Sequence, residues 1–216
     1  YYARHDGEPD DVALAIREHY QPRYAGDALP STPVSLAVAL ADKMETLTGL
    51  FGIGQMPTGE KDPFALRRHA LGVLRMLMEK GLALSLRDLV DAAWEVESGV
   101  AGVSDHREEL MSFFSDRLRV MLRDMGYSAQ EVDAVLALRP THLADLPKRL
   151  AAVRAFMGLP EAASLTAANK RIGNILKKAG DEEIGDVSEA GLAGDAVLCA
   201  AERLVQLANK DLRGDF

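Results

Sequence analysis

Apolar residues recur at three- and four-residue spacing along most of the chain, and alternating strand patterns are absent, which predicts an all-α protein. A short helix starts at Asp10 or Asp11 and runs to about Tyr20, with Val12, Ile16 and Tyr20 on one face. The segment QPRYAGDALPSTP reads as a loop from its prolines and glycine. Thr32 and Pro33 then open a helix to about Leu50, whose VSLAVALADKMETLTGL is apolar nearly all round. That pattern marks a buried helix, with Asp42 as its anomaly. Helices follow over 63–80 and near 85–97, before the glycine-rich turn ESGVAGVSD.

Asp105 with Glu108 reads as a capping-box-like start for a helix to Met125, with Leu110, Phe113, Phe114, Leu118, Met121, Leu122 and Met125 as its core stripe. Gly126 ends it. Ser128 and Glu131 form a second capping box before EVDAVLAL, Pro140 stops that helix, and another runs from about Asp145 to Met157. Short connections predict antiparallel neighbours. Helices near 161–179 and 188–210, separated by the acidic GDEEIGD, complete the pattern, with a soft boundary near Pro160.

A chain of 216 residues can bury a substantial core as one large domain or two small ones. Its formal net charge of −8 argues against a histone-like polycation, so any nucleic-acid contact must come from local basic stripes. The single cysteine, Cys199, excludes an intrachain disulfide framework and a cysteine-rich zinc site and fits a reducing compartment, by default the cytoplasm. No segment reaches the apolar length of a membrane span. The chain starts Tyr1-Tyr2 without methionine and stops just after an amphipathic run, which points to a piece of a longer protein.

The run FGIGQMPTGEKDPFALRRHALGVLR has glycines, Gly54 and Gly59, at the separation of a phosphate-cradling loop. Glu60 stands where that loop needs lysine, Asp62 where it needs Ser or Thr, and no strand precedes. A glycine turn and a capped helix fit better, with Asp62 as N-cap, Pro63 at the first helical position and Gly81 past the end. On that helix Leu66, Ala70, Val73, Leu74 and Leu77 form the buried arc, and Arg68 and Arg75 share the opposite side as phosphate candidates. Arg67 falls at the edge of the apolar stripe, where an ion pair with Asp42 or Glu45 is the expected arrangement.

His5-Asp6, read with Asp42 in ALADK, invites a metal site of the HD phosphohydrolase kind, since imidazole and carboxylate are suitable ligands. Only one His-Asp pair is present, and Asp6-Gly7 also reads as a turn. His19, His69, His106 and His142 lack zinc-binding helical spacing and read as surface or helix-end residues. In LTAANKRIGNILKKAG, Leu165, Ala168, Ile172, Ile175 and Leu176 make the packed side. Lys170, Arg171, Asn174, Lys177 and Lys178 stack on the other. That ridge can track phosphates, with Asn174 reading a base edge, or be a solvated face whose last lysines complement the helix dipole. Cys199 sits among apolar residues and reads as core, and no catalytic triad can be argued.

Three stretches, HDGEPDDVALAIREHYQPRYAGDALP, VALADKMETLTGLFGIGQMPTGEKDPFALRRHALGVLR and LTAANKRIGNILKK, closely resemble the C-terminal half of the β subunit of bacterial tetrameric glycyl-tRNA synthetase. The resemblance implies the later part of an HD-like helical domain over 1–100, a helical body over 101–160, and the opening of a DALR-type anticodon-binding domain over 161–216, similar to that of arginyl-tRNA synthetase. It implies ATP-dependent charging of tRNA with glycine by an assembly of α and β subunits. In that assembly the α subunit carries the adenylate-forming site and uses ATP and Mg, while β chiefly binds tRNA and no cofactor falls to this stretch. Glycine tRNA and the α subunit are the implied partners, with no membrane or DNA.

The same resemblance makes Lys61, Arg67 and Arg68 candidates for acceptor-arm phosphate or structural roles, and Lys170, Arg171, Asn174 and Lys177 candidates for the anticodon arm. Asp42 falls where an HD hydrolase keeps its last ligand, but the earlier ligands are degenerate in this family. An HD-type metal phosphohydrolase around Asp42 and His5, and a helical scaffold for subunit assembly, are the competing readings.

Overall fold

Thr32 fixes the start of the central helix. Its Oγ1 accepts the Ser35 N–H at 3.1 Å and Pro33 follows at the first helical position, where a missing N–H costs nothing. In the computed structural model, which describes residues 1–179, this helix is α3 (Pro33–Gly52). Before it come α1 (Tyr2–His5) and α2 (Asp10–Glu18); after it α4 (Leu66–Glu79), α5 (Leu86–Glu97), α6 (Arg107–Asp124), α7 (Ala129–Leu136), α8 (Leu146–Met157) and α9 (Ala162–Ala179). Among the described residues there is no β-strand, only isolated bridges at Thr58–Lys61 and Ser85–His142, so the all-α expectation holds. The expected helix over 188–210, with GDEEIGD and Cys199, lies outside the described residues.

The chain divides into a unit over Tyr1–Val153 and a second over Arg154–Phe216, and the division falls within α8. In the first, α3 packs against α2, α4, α5 and α6. Leu47, Leu74, Leu77, Phe114 and Leu122 are fully buried there, joined by Leu143, Leu146 and Leu150. In the second, α9 buries Ala162, half-buries Leu165 and Ala168, and leaves Ile172 55% exposed. The packed side expected to run through Ile172 is thus not closed at that residue.

Local chemistry shifts several expected boundaries. Val12, Ile16 and Tyr20 are all exposed, because α2 turns Ala15 and Glu18 inward instead. The reason is Glu18, whose carboxylate accepts the Ser31 N–H at 2.8 Å and the Ser31 hydroxyl at 3.0 Å, tying α2 to the loop before α3. Helix α4 begins at Leu66, not Pro63, since Ala65 adopts a left-handed φ of 55° just before it. In α6 no capping box forms. Asp105 accepts instead from the Arg107 backbone N–H and guanidinium, and Met125 is exposed past the helix end. Ser128 and Glu131 do form the reciprocal box before α7.

Candidate nucleic-acid interface

The glycine loop reaches α4 through a set of internal bonds. Thr58 and Lys61 exchange backbone hydrogen bonds at 3.1 and 2.8 Å around Gly59, whose φ of 52° suits a residue without a Cβ. Asp62 then accepts the Leu66 N–H at 2.8 Å and the Arg67 N–H at 3.0 Å, so it caps the helix from four residues upstream. A carboxylate therefore occupies the place where a phosphate-cradling loop would present free amides. The loop is an internally bonded lead-in to α4, and the nucleotide-cradle reading fails on the Asp62 cap.

The arginines of α4 separate by partner. Arg67 donates to the Gly59 carbonyl, closing the loop onto the helix, where a pair with Asp42 or Glu45 was expected. Arg75 is 19% exposed and forks onto Glu79 at 2.6 and 3.2 Å, with a third bond to the Asp27 carbonyl at 3.1 Å. Three of its five N–H donors are engaged in this way, and its side chain lines a cavity of about 430 Å³ together with Arg68. Arg68 is exposed, and its guanidinium makes no hydrogen bond or ion pair with the described residues. Lys61 is exposed as well, engaged through its backbone alone.

Arg68 lines a cleft of about 340 Å³ together with Tyr20, Pro22, Arg23, Asp42, Lys43 and His69. Sequence reasoning missed Lys43, which is 2% exposed and donates from Nζ to the His19 carbonyl at 3.1 Å. Burial lowers its pKa, and Asp42 opposes the shift. The signal was present: a lysine within a helix apolar nearly all round has nowhere to go but inward. His69 was expected at the surface, yet it is half-buried with Nδ1 sealed from solvent and unpartnered. Burial first, then the Lys43 charge, lower its pKa. Arg23 is pinned by Asp27 through bonds at 2.9 and 3.4 Å, and with the Arg23 backbone N–H it lowers the Asp27 pKa to about 2.

His5 does not line this cleft; its exposed imidazole lies 3.4 Å from the neighbouring Asp6 carboxylate. Among the described residues no three His, Cys, Asp or Glu side chains gather as metal ligands, so Asp42 and His5 form no such cluster. Nor is any described helix long and apolar enough to cross a membrane.

On α9, Lys170, Arg171 and Asn174 are all exposed. They lie on adjacent turns at three- and four-residue spacing, as expected of a ridge. The side chains of Lys177 and Lys178 lie outside the described ones. The helix Ala162–Ala179 contains no acidic residue, so no carboxylate on it can neutralise the row.

Comparison with known proteins agrees over the whole chain. The family described as glycyl-tRNA synthetase beta subunit matches residues 1–137. A glycine–tRNA ligase beta subunit of Janthinobacterium sp. (strain Marseille) is 56% identical over 220 residues, covering 100% of this chain and 31% of the relative. That of Leptothrix cholodnii is 60% identical over 207 residues, covering 96% and 29%. That of Paracidovorax citrulli is 61% identical over 181 residues, covering 84% and 25%. The chain thus spans about a third or less of the length of these curated relatives. With identity this high and spread over both its units, the chain belongs to the glycyl-tRNA synthetase beta subunit family.

Proposed function

We propose that this chain is a tRNA-binding portion of a glycine–tRNA ligase β subunit. It supports ATP-dependent glycylation of tRNA in the cytoplasm, while an α subunit performs the chemistry with ATP and Mg. The reading assigns residues 1–100 to an HD-like helical domain, 101–160 to a helical body and 161–216 to the opening of an anticodon-binding domain. Its partners are glycine tRNA and the α subunit, and neither DNA nor a membrane has a role in it. Family membership supports the assignment, and one observation carries the RNA part of it: the exposed Lys170, Arg171 and Asn174 on a helix with no acidic residue. Such cations neutralise phosphates, and an amide between them reaches a base edge. Lys177 and Lys178 extend the row in sequence, and Lys61 and Arg68 supply further exposed cations.

The test is a titration of the protein with glycine tRNA and a non-cognate tRNA near physiological salt, repeated with Lys170→Glu/Arg171→Glu. Preferential binding of glycine tRNA, weakened about tenfold or more by the double substitution, is expected from the loss of two phosphate contacts. Equal, weak binding of both tRNAs that ignores the substitution would assign recognition elsewhere and leave a scaffold role. The metal phosphohydrolase alternative is disfavoured by the ungathered Asp42 and His5.

A further inference from the structure

The cleft beside Arg68 holds more hydrogen-bonding capacity than the fold uses. An ammonium has three donors and a guanidinium five. Lys43 has one bond, to the His19 carbonyl, and Arg68 has none among the described residues. The Asp42 carboxylate, half-buried in the same wall, also makes no hydrogen bond there, and His69 Nδ1 is sealed without a partner. Buried polar groups are ordinarily paired, and a buried ammonium with spare donors is costly. Lys43 and His69 accept that cost where a cavity of about 340 Å³ opens beside them. This volume lies within the range of small-molecule sites.

We propose that this cleft binds a phosphorylated nucleoside, with the phosphate held by Lys43 and Arg68, the sugar hydroxyls by Asp42, and the base stacked on Tyr20. Each part answers a separate feature of the wall. Arg23 is already neutralised by Asp27, so Lys43 and Arg68 are the cations left for an anion. A carboxylate repels a bare anion but accepts well from ribose hydroxyls, as acidic residues do in dinucleotide sites. The Tyr20 ring is 63% exposed and lies against the His19 ring at 3.9 Å between centroids, a supported platform for a base. Inorganic phosphate would use the cations and leave Asp42, Tyr20 and most of the volume idle. The nucleotide can be free or the terminal residue of an RNA strand, since both present the same groups.

Calorimetric titration of the protein with AMP, UMP, adenosine and inorganic phosphate tests this. Saturable one-to-one binding of a nucleoside monophosphate is expected, with adenosine and phosphate each weaker by about tenfold or more. Arg68→Gln and Tyr20→Ala alter exposed side chains and should fold normally, as thermal midpoints would verify. The first should weaken AMP about tenfold and the second severalfold or more. Displacement of AMP by a short single-stranded RNA would identify a strand end as the source, and its persistence would identify the free nucleotide. Absence of saturable nucleotide binding, or binding that both substitutions leave unchanged, overturns the inference. Because these titrations contain no tRNA, a protein that binds glycine tRNA but no nucleotide refutes this inference alone, and the converse refutes only the tRNA reading.

Discussion

The stem of Lys43 lies in a notch left by Gly72. A Cβ at Gly72 would stand 3.0 Å from Lys43 Cε, 3.2 Å from its Cδ and 3.4 Å from Pro22 Cδ. A glycine inside a helix ordinarily costs about 0.5–1 kcal/mol relative to alanine, so alanine should stabilise α4. Here the added methyl meets a side chain that is itself buried and bonded to His19, and overpacking of that kind costs about 1–3 kcal/mol. Gly72→Ala is therefore expected to reverse the usual sign, with a net loss of about 1 kcal/mol in urea denaturation. A gain in stability would show that Lys43 can yield its place.

Ala65 offers the opposite substitution. It precedes α4 with a φ of 55°, a conformation that costs an L-residue about 1–2 kcal/mol and a glycine little. Ala65→Gly should raise stability by up to about 1 kcal/mol, the remainder being lost to the freer unfolded chain. Asp62→Ala, which strips two N–H acceptors from the same helix start, should lower it by about 1 kcal/mol. Both are read from the denaturation midpoint, and a stabilising effect of Asp62→Ala would contradict the capping geometry.

Two buried glutamates should respond to pH in opposite directions. Burial alone would raise the Glu18 pKa, but the bonds from Ser31 outweigh it and the net shift is downward. Its folded pKa lies below the unfolded value, so its stabilisation is complete above the ordinary carboxylate range and is lost as pH falls through the folded pKa. For Glu97, burial raises the pKa, the nearby Glu45 charge adds to that, and the Thr48 hydrogen bond only partly opposes it. The Thr48 hydroxyl lies 2.9 Å from both the Met44 carbonyl and Glu97 Oε1, and has a single proton. A protonated Glu97 can donate to Thr48 and leave that proton for Met44, whereas an ionised one competes for it. Charging Glu97 thus destabilises the fold progressively as pH rises from its unfolded pKa through its folded one. Denaturation at several pH values should show Glu97→Gln at its most favourable near pH 7, the advantage shrinking towards about pH 4. Glu18→Gln should cost about 2 kcal/mol near pH 7, with the deficit shrinking in acid. Parallel behaviour of the two variants would refute the assignment.

What was legible in the sequence was what local chemistry decides. Thr32-Pro33, Ser128 with Glu131, and the left-handed glycines Gly81 and Gly126 mark helix ends through partners within a few residues, and the structure places them so. What was not legible depends on acceptors that a helical wheel does not display. Arg67 ends on the Gly59 carbonyl and Arg75 adds a bond to the Asp27 carbonyl beyond its i,i+4 fork with Glu79, and no side-chain pattern announces a carbonyl. Glu18 turns inward because Ser31, thirteen residues on, satisfies it, so the apolar arc of Val12 and Ile16 loses to a polar anchor. Arg68 was named as a candidate from its spacing, but the cleft around it joins residues from three parts of the chain and emerges only when α3 and α4 meet.

That separation of arginines yields a salt experiment. If about four to six phosphates are neutralised, log affinity for tRNA should fall against log salt with a slope of about −3 to −5. Lys170→Gln should lower the steepness by somewhat under 1, the share of one lost phosphate contact, with affinity falling for every RNA tested. Arg75→Gln removes an equal charge but one already committed to Glu79 and Asp27, so the slope should stay unchanged while the denaturation midpoint falls. A slope that shifts equally for both would mean that the protein's overall charge, and not the α9 row, sets its electrostatic attraction to RNA.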